Sequence, residues 1–153
     1  MVYVRHDVPH TYLQVQSNLQ VVAVQLHLKR RYTVASLYLP PNDRVSRADL
    51  EALVGQLPAP FLLLGDFNGR NPLWGDDHVT PRGAMLGSLV EDLGLSVLNT
   101  GEPTRFQAGV FTAIDLSLCS SDATLDFTWE VGADPRGSDH FPICLSMASE
   151  SLP

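Results

Sequence analysis

The stretch FLLLGDFN, residues 61–68, ends an apolar run with a carboxylate and a carboxamide, Asp66 and Asn68. Residues two apart in an extended backbone face the same side, so the two polar groups can meet at one point. There the carboxylate would accept a proton from a water molecule while the amide positions that water. Asp, Asn and Gly are also common where a strand simply turns, so other residues must decide between the two interpretations.

Three other apolar segments also carry groups capable of chemistry. They place Tyr38 in SLYLPP, Asp115 in AIDLSL, and the pair Asp139 and His140 in GSDHFPI. Asp115 has two aliphatic neighbours, and burying a carboxylate there costs free energy unless a partner compensates it. His140 is a suitable partner, because a carboxylate can hold an imidazole in one tautomer and orientation.

Together these groups form the set that hydrolysis of a phosphodiester requires. The reaction needs an oriented water, neutralisation of charge on the phosphate, help for the leaving oxygen and usually a divalent metal ion. Carboxylates such as Asp66 and Asp139 suit Mg²⁺, a hard cation that prefers oxygen ligands. We therefore expect all of these side chains to converge in one pocket, with Tyr38 on its wall.

Length and charge limit the classes of protein that the chain can be. Its 153 residues predict a single domain over 1–153. The net charge of −7 argues against a broadly basic surface for nucleic acid, but not against an enzyme that gathers its acids around a cation. No apolar run reaches the roughly 18 residues of a membrane span, and the N-terminus lacks a signal-peptide layout. Cys119 and Cys144 lie in apolar segments, which predicts buried free thiols and an intracellular setting.

Hydrophobic periodicity predicts that strands dominate, with two helices between them. Ser46 is the predicted N-cap of the first helix, and Gly94 is predicted to follow the second one. The simplest architecture is an α+β fold in which a two-sheet β-sandwich is flanked by helices. The predicted helices cover 46–57 and 80–94, and the predicted strands cover 19–28, 30–39, 61–67, 95–99, 111–120, 125–131 and 141–147.

At these residues the sequence resembles the endonuclease/exonuclease/phosphatase superfamily, which has the DNase I-like fold. The motifs GDFN, a later Asp in a strand and SDH occur in that order. The strings NPLWGDD, LGLSVLNTGEPTRF and AIDLSLCS narrow the resemblance to the endonuclease domain of non-LTR retrotransposons, from about Tyr3 to Met147. The resemblance implies a four-layer fold and nicking of DNA with Mg²⁺ or Mn²⁺. It also implies a reverse transcriptase domain in the parent protein and a nuclear location.

The resemblance also implies a role for each matching residue. Asp66 matches the general base, and Asn68 matches the amide that positions the nucleophile and the phosphate. Tyr38 matches a tyrosine that contacts the scissile phosphate. Asp115 matches the acid that holds the catalytic histidine, and His140 matches that histidine.

Metal and substrate contacts are implied in the same way. Asp139 is expected to be associated with the metal ion, together with Asp66. Thr104 falls where the family has a threonine near the DNA, and Ser138 supports the SDH turn. The expected substrate-binding residues are Asn71, Thr104, Arg105 and Ser138.

One departure from the family pattern affects the expected activity. The family opens with a segment that carries an asparagine and the main metal-binding glutamate, and neither is found here. We therefore expect an N-terminally truncated domain with exposed sheet edges and apolar surface, and weak or no activity. Two alternatives stay open: another hydrolase of the superfamily, such as a phosphatase, and a non-catalytic scaffold that binds a partner.

Overall fold

A six-stranded sheet forms the centre of the computed structural model, which describes residues 1–148. Its six strands are β1 (His10–Leu13), β2 (Gln20–His27), β3 (Arg31–Tyr38), β4 (Phe61–Asp66), β5 (Ser96–Val97) and β8 (Asp115–Cys119). Their spatial order is β1-β2-β3-β4-β8-β5. The strand pairs are antiparallel except β3 and β4, which run parallel.

Two helices cover one face of this sheet. Helix α1 (Arg47–Gly55) connects β3 to β4, as a parallel pair of strands requires a crossover. Helix α2 (Pro81–Asp92) packs beside α1, and the two helices share one hydrophobic core with the sheet. The buried side chains of that core include Leu37, Leu53, Leu63, Leu86 and Leu118.

The helix ends follow the capping signals in the sequence. The Ser46 hydroxyl accepts a hydrogen bond from the Asp49 amide, which confirms the predicted N-cap. The Thr80 hydroxyl accepts from the Gly83 amide in the same way at the start of α2. Gly94 follows α2 with a φ of 63°, a left-handed conformation that glycine adopts without strain.

A smaller sheet covers the other face. Strands β9 (Phe127–Val131) and β10 (Ile143–Met147) pair antiparallel, and Trp129 lies in a second core with Leu62 and Cys119. This smaller sheet leaves part of the large sheet open, since Val22 of β2 is 44% exposed. A third pair, β6 (Arg105–Gln107) and β7 (Val110–Thr112), forms a short hairpin. No helix within residues 1–148 has the length and apolar character needed to cross a membrane.

The structure differs from the predicted elements in three places. Strands β1 and β6 were not predicted, because neither HTYL nor RFQ shows a clear apolar alternation. The predicted strand 111–120 is interrupted, since β7 ends at Thr112 and β8 begins at Asp115. The prediction that Cys144 is buried is wrong, because it lies on the outward side of β10, whereas Cys119 is buried as predicted.

Candidate active site

Three polar side chains form a row across one end of the large sheet. Tyr38 of β3 is paired in register with Asp66 of β4, and Asp66 is paired with Asp115 of β8. Each of the three residues lies an even number of positions along its strand from a side chain of the second core, so all three belong to the face that β9 and β10 cover. The register of the sheet therefore places side chains that are distant in sequence next to one another.

His140 reaches this row from the loop before β10. Its Nδ1 lies 2.8 Å from Oδ2 of Asp115, and its Nε2 lies 3.7 Å from Oδ2 of Asp66. The Ser138 hydroxyl accepts a hydrogen bond from the His140 amide, and a single β-bridge joins His140 to Arg105. The loop is thus anchored on both sides of the imidazole, which lies between two carboxylates.

Asn68 makes the turn that ends β4. Its φ of 48° is left-handed, a conformation that Asn tolerates better than most residues. Its amide N–H donates to Oδ1 of Asp66, and its side-chain Nδ2 donates to the Leu39 carbonyl. The backbone is therefore not extended here as expected: Asn68 forms a turn, it meets Asp66 through its backbone N–H, and its carboxamide bonds to Leu39.

The pKa values of two carboxyl groups of the site, those of Asp66 and Asp139, are shifted in opposite directions. Burial raises the pKa of the Asp66 carboxyl, and the nearby Asp115 carboxylate raises it further. Asn68, His140 and Arg105 oppose that shift. The hydrogen bond from Arg105 lowers the pKa of the Asp139 carboxyl. Asp66 is therefore the better proton acceptor of the two acids, since its conjugate acid is the weaker one.

A divalent cation fits beside Asp66. Ligand atoms of Asp66, Asp115 and His140 lie within 4.8 Å of one another, and the repulsion between the two carboxylates is what a cation relieves. Asp139 does not belong to this group, although it was predicted to be metal-associated: Arg105 occupies its Oδ2, and its Oδ1 lies 4.0 Å from His140 Nε2. Among the described residues no glutamate belongs to any such group.

A cleft borders the site between the two sheets. It encloses about 290 Å³ and lies against Asp115, with Leu64, Ile143 and Leu145 among its lining residues. Tyr38 is 42% exposed at the end of the row, so its phenol is accessible to a molecule that approaches Asp66.

The predicted substrate-binding residues have different surroundings. Arg105 is half-buried, and its Nε donates to Asp139. The Asn71 side chain is used internally: its Nδ2 donates to the Gly83 carbonyl and its Oδ1 accepts from the Leu73 amide. Asn71 therefore caps a short 3₁₀ turn, and its side chain is not free for a substrate.

Thr104 also differs from its prediction. Its side chain is 0% exposed, so it does not offer a surface contact to a substrate. Its hydroxyl oxygen accepts hydrogen bonds from the amides of Ile114 and Asp115, each at 3.1 Å. The structure therefore places Thr104 behind the site, against the backbone that carries Asp115.

Sequence reasoning missed the role of Asp76. It is buried, and its carboxylate accepts from Arg70 Nε at 2.8 Å and from the Ala113 amide at 2.9 Å. It thereby joins the loop after β4 to the segment before Asp115. The available signal was an acid in PLWGDD two residues after Trp74, which is itself buried.

Sequence comparison places the chain beside proteins of mobile elements. A family model described as endonuclease-reverse transcriptase matches residues 32–144. The chain is 30% identical over 139 residues to the RNA-directed DNA polymerase from mobile element jockey of Drosophila funebris, which covers 84% of this chain. It is 27% identical over 124 residues to the probable RNA-directed DNA polymerase from transposon BS of Drosophila melanogaster, which covers 76%. The chain spans only 14% and 13% of the lengths of these two relatives.

Structural comparison gives the fold independently. The endonuclease domain of TRAS1, a telomere-specific non-LTR retrotransposon, superposes with a TM-score of 0.84 at 23% identity, over 93% of this chain and 68% of that one. An endonuclease/exonuclease/phosphatase family protein from Leptotrichia buccalis C-1013-b gives 0.60 at 14% identity, over 93% and 61%. At these identities the matches establish a shared fold, which is the predicted DNase I-like one.

Proposed function

Because the chain belongs to the endonuclease-reverse transcriptase family, we propose that it is a metal-dependent endonuclease domain that nicks DNA. The family is the one predicted from the GDFN and SDH motifs and Asp115. The observation that carries the proposal is the line formed by Asp115, His140 and Asp66. One carboxylate orients the imidazole at 2.8 Å, and a second lies 3.7 Å from its other nitrogen.

In the proposed reaction Asp66 takes a proton from the attacking water. Its raised pKa makes it a suitable acceptor, and only its Oδ1 is bonded to the Asn68 amide. Asn68 holds the carboxylate in place through that bond.

His140 acts on the phosphate from the opposite side. The Asp115 carboxylate accepts a hydrogen bond from Nδ1–H of His140, so Nε2 is the nitrogen that faces the site. In the protonated imidazole, Nε2–H donates to a phosphate oxygen and stabilises its developing charge. Tyr38, exposed beside Asp66, contacts the same phosphate.

We assign the metal ion to the carboxylates of this pocket. A bound Mg²⁺ or Mn²⁺ would neutralise charge on the phosphate and assist the leaving oxygen. Asp66 would hold the ion together with Asp115, whose carboxylate belongs to the same group. Asp139 lies outside that group and would join only through its Oδ1, because Arg105 already engages its Oδ2. Two carboxylates are few for a hard cation of this kind, so we expect weak metal binding and low activity from these 153 residues.

The parent protein and its cellular setting follow from the relatives. Both curated relatives are named RNA-directed DNA polymerases of transposable elements. We propose that this domain accompanies a reverse transcriptase domain, cleaves chromosomal DNA and works in the nucleus. Arg105 and Ser138, which flank the His140 loop, are the substrate contacts that the geometry still allows.

Nicking of supercoiled plasmid by the purified chain, in Mg²⁺ and separately in Mn²⁺, tests the proposal. The His140→Ala variant should lose the activity, while His6→Ala should keep it, because His6 is exposed and belongs to neither group of side chains that could hold a metal ion among the described residues. A phosphomonoester substrate in parallel separates an endonuclease from a phosphatase. Absence of nicking in both metals, from protein shown to be folded by circular dichroism, would contradict the proposal and favour a non-catalytic scaffold.

A further inference from the structure

We propose that Thr104 is a positioning residue that sets the bond between Asp115 and His140. The inference starts from the interruption between β7 and β8. Three successive amides at this interruption donate to buried side chains: Ala113 to Asp76, and then Ile114 and Asp115 to the Thr104 hydroxyl. The Thr104 hydroxyl therefore holds the backbone amides of Ile114 and Asp115, the residue that carries the carboxylate.

Thr104 also holds the other partner of the bond. Its carbonyl oxygen accepts a hydrogen bond from the Phe141 amide at 2.8 Å, and Phe141 directly follows the histidine. The next residue, Arg105, forms the β-bridge to His140. A single residue thus bonds to the backbone on both sides of the Asp115–His140 contact.

The type of residue at this position matters. A hydroxyl oxygen has two lone pairs and can accept from two amides at once, which valine, of nearly the same shape, cannot do. Serine keeps that capacity. The side chain is completely buried, so a role in binding substrate directly is excluded in this conformation.

The region supplies a matched control. Thr112 lies on β7, and its hydroxyl is buried without a hydrogen-bond partner among the described residues. Thr112→Val therefore makes the same chemical change as Thr104→Val but breaks no bond. Comparing the two variants separates the loss of the two hydrogen bonds to the Thr104 hydroxyl from the loss of a buried hydroxyl in general.

The first measurement is independent of activity. In ¹H–¹⁵N spectra of the purified chain, the His140 Nδ1–H should appear as a hydrogen-bonded resonance that Asp115→Asn removes. We expect Thr104→Val to shift or lose that resonance, and Thr104→Ser and Thr112→Val to keep it. An unchanged resonance in Thr104→Val would overturn the proposal.

The second measurement rests on the proposed function. We expect Thr104→Val to lower kcat for plasmid nicking about 100-fold with little change in KM, as expected for a misplaced catalytic group. A raised KM with unchanged kcat would mean that Thr104 contacts DNA, and would overturn the inference. If the wild-type chain does not nick, the proposed function fails, and the imidazole resonance still decides the positioning role.

Amide exchange covers the case in which Thr104→Val does not fold. In the wild-type chain the amides of Ile114 and Asp115 should exchange with solvent as slowly as those of the neighbouring strand β8. Together with slow exchange of these two amides, we expect the Thr104→Ser variant to keep the His140 Nδ1–H resonance. Exchange of both amides at the rate of an exposed loop would show that the hydroxyl does not hold them.

Discussion

Asp115 and His140 are 25 residues apart in the chain, yet the Asp115 carboxylate lies 2.8 Å from Nδ1 of the imidazole. Asp115 opens the strand β8 of the large sheet, while His140 lies in the loop before the smaller sheet. The bond therefore joins the two layers of the sandwich at the site. It also fixes which imidazole nitrogen faces the Asp66 carboxylate.

We predict that Asp115→Asn abolishes most of the nicking activity. The carboxamide has nearly the same shape, but it can present an N–H to Nδ1 and so stabilise the wrong tautomer of His140. The expected loss in kcat is on the order of 100-fold or more. Single-turnover nicking of supercoiled plasmid measures it.

Asp7→Asn is the matched control for this change. Asp7 is an exposed acid that pairs with Arg5, so its loss should leave nicking within about twofold of wild type. Equal activity of Asp115→Asn and wild type would show that His140 does not depend on this carboxylate.

A second prediction concerns how much the ionised Asp66 carboxylate lowers the free energy of unfolding. Burial and the Asp115 carboxylate raise the pKa of Asp66 in the folded state. The protonated group therefore stabilises the fold at pH values below its pKa in the unfolded chain. That stabilisation is lost as the pH rises through its pKa in the folded state. At pH 7 the ionised group therefore opposes folding. We expect Asp66→Asn to raise Tm at pH 7, with the gain vanishing at about pH 3. Thermal unfolding across this pH range measures both effects.

Added metal provides the companion experiment. A cation bound by Asp66 stabilises only the folded state, so Mg²⁺ should raise the Tm of the wild type and not that of Asp66→Asn. Asp134→Asn, an exposed acid in the loop before β10, should respond to Mg²⁺ as the wild type does. Lower stability of Asp66→Asn at pH 7 would contradict the assigned pKa direction.

A third prediction concerns the ion pair of Arg105 with Asp139. The hydrogen bond from Arg105 is the largest cause that lowers the Asp139 pKa, so Arg105→Gln should move this pKa up toward an ordinary value. Because the pKa of Asp139 is lower in the folded state than in the unfolded chain, its ionised carboxylate stabilises the fold at pH values above the unfolded-state pKa. That stabilisation is lost as the pH falls through the folded-state pKa. Carboxyl ¹³C shifts, followed by NMR through acid titration, measure the change.

The neighbouring Arg136 supplies the control for this titration. It is exposed in the same loop and makes no ion pair among the residues that the structure describes. Arg136→Gln should therefore leave the Asp139 titration unchanged. An equal shift in both variants would mean that Arg105 acts only through the net charge of the protein.

Much of this fold could be predicted because its signals are local. The alternation in β2 and β3, the caps at Ser46 and Gly94, and the apolar run before Asp66 follow from residue type and spacing. The GDFN and SDH motifs then led to the fold and family. Each of these signals is contained within about ten residues of sequence.

The support behind the site could not be predicted, because it depends on long-range register. Whether Thr104 is exposed or buried depends on where the segment before β6 lies against the interruption before Asp115, and nothing in TGEPTRF encodes that contact. Asp139 was assigned to the metal by motif, whereas its bond to Arg105 spans 34 residues. Motif position gives the type of chemistry at a residue, and tertiary packing decides which atoms remain free for it.

The final prediction is that Asp76→Asn destabilises the chain by about 2–3 kcal/mol. The buried Asp76 carboxylate accepts from Arg70 and from the Ala113 amide. A carboxamide removes the buried charge partner of the guanidinium and leaves it only the exposed Asp77 carboxylate. Urea unfolding of the purified chain measures the change in free energy. Asp77→Asn is the control: Asp77 is 79% exposed and contacts the same arginine, so its loss should leave the free energy of unfolding close to that of the wild type. Equal costs for the two variants would mean that Asp76 contributes no more than a surface ion pair.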